Sequence, residues 1–150
     1  MIAKLTNGVL ATLGNGELLQ FHIDNGYELI EDIAVDAEGN YYTYYTDYAT
    51  PDMDRIASSE LGELVKEWKV QRAAAVDSIV VEFNGSSFQG DEKSQDRMSR
   101  AINALPDEDT TVNWVTSDNT VEQLTKSDLQ AILGLSGAEQ SRLWVEGRPS

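Results

Sequence analysis

Three cations, Lys93, Arg97 and Arg100, follow the acids Asp91 and Glu92 in the stretch FNGSSFQGDEKSQDRMSRAINAL, which begins at Phe83. Cations clustered after a glycine turn could hold an anion, and mixed acidic and basic groups could move a proton. The spacing supports a plainer role. Met98, Ala101, Ile102 and Leu105 recur at i, i+3, i+4 and i+7, which predicts an amphipathic helix with one buried face. Gly90-Asp91 supplies its start, Asp91 and Glu92 sit where the helix dipole favours anions, and Pro106 ends it. Arg97 and Arg100 then lie off the apolar stripe. Arg97 is expected to reach Asp118 or another carboxylate, which would lock this helix to a hairpin.

Other routes to chemistry are weaker. His22 is the sole histidine and there is no cysteine, so neither a proton relay nor a thiolate metal site can be assembled. DNTVEQLTKSD and DAEGN carry oxygen ligands but miss the alternating spacing of a calcium loop. The glycines form neither a phosphate-binding loop nor a dinucleotide fingerprint. Carboxylate pairs suited to sugar hydrolysis carry no specificity among 26 acidic residues. The expectation is a protein that is not an enzyme and uses no cofactor or metal.

Charge is the strongest global feature. With 26 acidic and 11 basic residues the formal net charge is −15, which disfavours free nucleic acid as a ligand. The charge is spread along the chain and reads first as solubility through self-repulsion; a basic partner or mimicry of DNA charge are the sharper readings. The first 60 residues carry −9 and the remaining 90 carry −6. No basic region precedes an uninterrupted apolar run at the start, and no segment is long and apolar enough for a membrane span, so a cytoplasmic origin without membrane insertion is expected.

These residues must be positioned by two kinds of element. Residues 1–50 read as a small antiparallel β unit of four or five strands. Turns fall at Asn7-Gly8, Gly14-Asn15-Gly16, Asn25-Gly26 and Glu38-Gly39-Asn40. ELLQFHID and GYELI would be the strands flanking Asn25-Gly26, which places His22 in a strand. In YYTYYTDY, strand alternation would send Tyr42, Tyr44 and Thr46 to one face, and Tyr41, Thr43 and Tyr45 to the other. Tyr41, Tyr42, Tyr44, Tyr45 and Tyr48 are therefore candidate partner-binding residues, since tyrosine joins broad apolar area to a polar tip. A half-buried strand is the equally weighted alternative, and a carbohydrate platform would look similar.

Residues 51–76 read as a connecting amphipathic helix, with Leu61, Leu64, Val65, Trp68 and Arg72 along one side. It could dock on either neighbour or pair with its own copies. Residues 77–150 read as β-β-α-β-β-α. SIVVEF and SSFQG form a hairpin around Asn84-Gly85, and VNWVTSDNTVEQL forms another around Ser117-Asp118-Asn119. Thr125 with Asp128 makes a capping box, and Ser136 with Glu139 repeats the pattern to open a last helix. A four-stranded sheet covered by helices is the expected arrangement, and the fold class is α+β.

From about Trp68 to Trp144 the chain resembles a domain of tailed bacteriophages, the domain-of-unknown-function family 4376 of tail and tail-fibre-region proteins. The residues that carry the resemblance are Trp68, Arg72, Gly85, Phe88, Asp91, Ser94, Arg97, Met98, Trp114, Asp118, Asn119 and Leu129. Of these, Trp68, Arg72, Gly85, Phe88, Asp91, Arg97, Met98, Trp114, Asp118 and Asn119 are expected to be structural. The resemblance offers a setting and no active site, and residues 1–60 fall outside it.

It implies a structural accessory component of a virion tail, baseplate or tail fibre, made in the host cytoplasm and attached through protein–protein contacts. The partners would be other tail, baseplate or fibre proteins. A homo-oligomer is expected, and three copies would match fibre symmetry. The alternatives are a fibre-assembly chaperone absent from the mature virion, and an acidic DNA mimic that inhibits a host defence nuclease.

Overall fold

A computed structural model describes all of residues 1–150. The chain is α+β and forms two units, Met1–Glu63 and Leu64–Ser150. No helix is long and apolar enough to cross a membrane.

The first unit begins with a hairpin, β1 (Ile2–Thr6) and β2 (Val9–Gly14), around Asn7-Gly8. Both turn residues have positive φ, 50° and 76°, as the tight hairpin turn demands. At Gly8 the glycine is also sterically required, because an added Cβ would stand 2.8 Å from the Tyr45 carbonyl oxygen. The short β3 (Glu28–Leu29) pairs with the other edge of β1, and β4 (Tyr45–Asp47) pairs with β5 (Thr50–Pro51). Five short antiparallel strands result, within the expected number.

One expected strand is absent. ELLQFHID contains a single helical turn, α1 (Gln20–Asp24), and His22 lies in it. Local side-chain bonds favour the helix: Gln20 donates to Asp24 one turn on (3.0 Å), and His22 Nδ1 accepts from the Leu19 N–H (3.1 Å). Asn25-Gly26 then ends a helix and makes no hairpin. Asn25 keeps φ −97° and only Gly26 is positive, at 80°.

The tyrosine run is likewise not one strand; only Tyr45 and its two successors join a ladder. Tyr45 is fully buried and, with Ile2 and Ala3, makes the core of this unit. Its hydroxyl donates to the Ala34 carbonyl (2.7 Å) and accepts from the Tyr42 N–H (2.9 Å).

Helix α2 (Met53–Asp77) is continuous over 25 residues, yet Val76 is its only buried residue. In the second unit, β6 (Val80–Phe83) and β7 (Ser86–Gln89) form a hairpin whose turn residues Asn84 and Gly85 have φ of 48° and 81°. Helix α3 (Glu92–Ala104) follows and starts after Asp91 as expected, with Asp91 at the N-cap position but no side-chain cap bond. A second hairpin, β8 (Val112–Val115) and β9 (Val121–Leu124), precedes α4 (Lys126–Val145).

The Thr125–Asp128 capping box forms with both reciprocal bonds, 3.2 and 2.9 Å. The second capping pattern does not open a new helix. α4 runs unbroken through Ser136, which is fully buried and donates its hydroxyl back to the Ile132 carbonyl (2.8 Å). Packing on α3 holds this turn helical, so the hydroxyl serves the helix interior instead of a terminus.

The core of the second unit gathers Val76, Ile79, Val81, Phe88, Met98, Leu105, Leu124, Leu129 and Ile132. The two hairpins do not merge into the expected four-stranded sheet. Each is a separate two-stranded sheet, and one backbone bond from Ser117 N–H to the Ser87 carbonyl (2.8 Å) ties them.

Gly90 marks how closely these pieces meet. A Cβ there would lie 2.6 Å from Ser136 Oγ and 2.7 Å from Ile79 Cγ2. Both neighbours are buried, so neither can swing away. Gly90→Ala is expected to destabilise the second unit by about 1–3 kcal/mol through overpacking. Thermal denaturation followed by tryptophan fluorescence checks this, and an unchanged midpoint would refute the close packing.

Candidate functional site

The sequence-predicted residues divide by location. Gly85 supplies a turn, while Phe88 and Met98 are fully buried. Asp91 stands at the N-cap position of α3, and its carboxylate accepts from the Ser94 hydroxyl instead of a helix N–H. These four are structural, each through a distinct contact.

Trp68 and Arg72 join α2 to the end of α4. The Trp68 indole N–H donates to the Glu146 carbonyl (2.8 Å). The Arg72 guanidinium lies 4.6 Å from the centre of the Trp68 ring and 3.8 Å from that of Trp144, and donates to the Trp144 carbonyl (3.3 Å). A cation between two indoles is attracted by both ring faces, and its planar fork adds the hydrogen bond. Trp144 thus belongs to the same clasp as Trp68 and Arg72, a pairing across 72 residues that periodicity cannot reveal.

The tyrosines prove to be scaffold more than surface. Tyr45 is buried, and Tyr42, Tyr44 and Tyr48 are half-buried, which leaves Tyr41 as the exposed one. Tyr42 packs edge-on against Tyr45, Arg55 lies over the Tyr44 ring at 4.2 Å, and Tyr48 donates to the Ala3 carbonyl (3.4 Å). The surface proposed for them by alternation is therefore not assembled. Leu13, Leu19, Phe21, Ile23, Leu29 and Met53 are among the exposed apolar groups of this unit. Leu13, Phe21 and Tyr27 share a hollow of about 280 Å³ with Lys4, His22 and Asn25. His22 packs at a tilt against Phe21, 4.0 Å between centroids, and serves α1 locally.

A groove of about 330 Å³ opens where the two hairpins of the second unit fail to merge. Gln89, at the end of β7, lies on one side. Asn113, Trp114 and Val115 of β8 lie on another, with Ser94 and Arg97 from α3 and Thr116 and Asn119 from the β8–β9 turn. Four residues that the family resemblance singles out, Ser94, Arg97, Trp114 and Asn119, converge here. No sequence signal brought them together, because they come from a helix, a strand and a turn.

Asp118 does not pair with Arg97 as expected; both ion pairs of the structure belong to Arg142, with Glu139 and Glu146. The reason is local. Thr116 and Thr120 both donate hydroxyls to Asp118 Oδ1, and Asn119 holds the turn at φ 66°. These hydroxyl donations, Thr116 first, hold the Asp118 carboxyl below the usual carboxylate range, and the Thr120 N–H adds to them. Its stabilising contribution is present above the unfolded-state value and is lost as pH falls through the lower folded one. Thr116→Val is expected to move the Asp118 titration back up toward 3.8, the ordinary value. Carboxyl-carbon NMR titration reads this directly; an unmoved midpoint would show the threonine bond to be irrelevant.

With Asp118 engaged, the Arg97 guanidinium has no carboxylate partner. The geometry brings together one cation, three carboxamides and an indole beside the edges of two strands, an arrangement that can hold a polar ligand.

Residues 61–144 match the family described as Domain of unknown function (DUF4376). Comparison with curated proteins and with solved structures gives no match. Because the family match spans more than half of the chain, the protein belongs to the DUF4376 family.

Proposed function

We propose that the protein is a structural accessory component of a bacteriophage tail, baseplate or tail fibre, held in place by protein–protein contacts. The setting rests on the resemblance of the motif series from Trp68 to Trp144 to tail-region proteins. The observation that carries the mode of action is α2. Along this helix Met53, Leu61, Leu64 and Val70 are 57, 38, 53 and 69% exposed. Aliphatic side chains repeated along a long helix favour cover from another protein surface, since most helix stability in water comes from packing an apolar face.

Partner proteins of the tail or fibre would supply that cover, and copies of the same chain could share it; three copies suit the symmetry of a fibre. A fibre-assembly chaperone would use the same surface transiently. Mass spectrometry of purified intact particles separates the two. A fixed copy number per particle supports the tail component and reports its symmetry. Presence in the infected cell with absence from particles overturns it in favour of the chaperone.

A further inference from the structure

We infer that the groove between the two hairpins of the second unit binds an extended acidic peptide segment of a partner protein, with Arg97 receiving its carboxylate. The serine and the threonine of the groove are already engaged: Ser94 donates to Asp91, and Thr116 to Asp118. The side chains of Gln89, Arg97, Asn113 and Asn119 and the indole N–H of Trp114 line the same groove without a partner inside the chain. They are solvated, and available to a ligand.

The chemistry of this set selects the ligand. A single guanidinium matches a single carboxylate, which its planar fork can hold through two parallel hydrogen bonds. A polyphosphate would need several cations and would meet the field of a chain with net charge −15. The carboxamides of Gln89, Asn113 and Asn119 both donate and accept, as do the peptide groups flanking an acidic residue.

The strands supply a second, independent feature. β7 and β8 each belong to a two-stranded sheet, the one backbone bond between the two hairpins runs from Ser117 N–H to the Ser87 carbonyl of β7, and both strands contribute lining residues. Backbone groups left over along the edges of such strands, beyond the Ser117–Ser87 bond, accept an added extended chain. The like-charged surroundings make the attraction weak at long range, so affinity for a short peptide is expected on the order of 1 mM.

The test uses the full chain and two blocked tripeptides, acetyl-Ser-Glu-Ser-amide and its glutamine counterpart acetyl-Ser-Gln-Ser-amide. The chain has three tryptophans, hence three indole N–H resonances, and Trp114→Phe identifies the one in the groove. The glutamate peptide is expected to shift the Trp114 resonance saturably, and the glutamine peptide to leave it in place. Arg97→Gln should weaken binding at least about tenfold, the loss typical of a charge-assisted bond. Arg100→Gln, which removes an exposed cation one turn along the same helix outside the groove, should not.

A third peptide, acetyl-Ser-Gln-Ser with a free chain end, distinguishes the source of the carboxylate. Binding as tight as the glutamate peptide assigns the groove to a chain terminus, and weaker binding assigns it to an acidic side chain. No Trp114 shift with either acid overturns the inference, as does an equal shift by the blocked glutamine peptide. Equal losses for Arg97→Gln and Arg100→Gln would also overturn it, by showing non-specific attraction. None of these outcomes depends on whether the chain is found in virions.

Discussion

Phe88→Ala is expected to cost the second unit about 3–5 kcal/mol, the range for removing a fully buried aromatic ring from a core. Phe88 is 0% exposed and pairs across β6–β7 with Val81, in the cluster that also holds Met98, Leu129 and Ile132. It thus joins a hairpin to two helices, and no one neighbour can fill the space left behind. A unit of this size has a total stability of only about 4–13 kcal/mol, so the loss removes a large share of it, and all of it at the low end of that range.

The residue distribution makes the measurement selective. All three tryptophans lie in Leu64–Ser150 and all six tyrosines in Met1–Glu63. Urea denaturation followed by tryptophan fluorescence reads the second unit, and a loss under about 1 kcal/mol would mean that the ring is not a core element. Phe88→Leu, which retains most of the volume, should cost much less.

Tyr45→Ala carries the matching expectation for the first unit, again about 3–5 kcal/mol. The core there is small, with Ile2 and Ala3 beside the ring, so little remains to hold the strands together. Two polar groups also lose their partner, the Ala34 carbonyl and the Tyr42 N–H. Tyr45→Phe isolates that part and should cost about 1–3 kcal/mol, because the ring stays and the buried polar groups are left unpaired. Tyrosine near-ultraviolet circular dichroism follows the change, and a Tyr45→Phe variant as stable as the wild type would remove the hydroxyl from the account.

The same burial sets a pH dependence. Loss of solvation pushes the Tyr45 phenol above its ordinary value of 10, and the hydrogen bond from the Tyr42 N–H only partly opposes this. The unfolded chain then gives up its proton at lower pH than the folded one. The contribution is complete below 10 and is lost as pH rises above it, so the first unit should weaken in alkali before the tyrosine itself titrates.

Legibility in the sequence followed the range of the interaction. Asn7-Gly8 and Asn84-Gly85 form hairpins because two consecutive residues there take positive φ, a local backbone demand. Asn25-Gly26 has the same composition but ends α1, because Gln20, His22 and Asn25 bond within their own turn and withdraw that segment from strand pairing. The Thr125–Asp128 box forms as read, since its two bonds lie within four residues. Ser136 with Glu139 carries the same signature, but packing against α3 keeps that turn inside one helix.

The tyrosine run misleads for a related reason. Alternation describes a strand with two faces, whereas Tyr45 is drawn inward by partners at Ala34 and Gly8 that lie far back in the chain. Arg97 shows the limit most clearly. Its place on the open side of an amphipathic helix was readable from the spacing of Met98, Ala101, Ile102 and Leu105. Its lack of an acidic partner was not, because that depends on two threonines claiming Asp118.

By itself, then, the sequence determined the α+β class, the two Asn-Gly hairpins, the spans of α2 and α3 and the buried stripe of α3. Each of these follows from φ preferences, caps and side-chain periods that operate within a few residues. The tertiary structure alone decided that the two hairpins stay separate, that Trp68, Arg72 and Trp144 form one clasp, and that Gln89, Arg97, Asn113, Trp114 and Asn119 share a groove. Those contacts join residues that are remote in the chain, and they form only when burial of the common core around Phe88 draws the segments together.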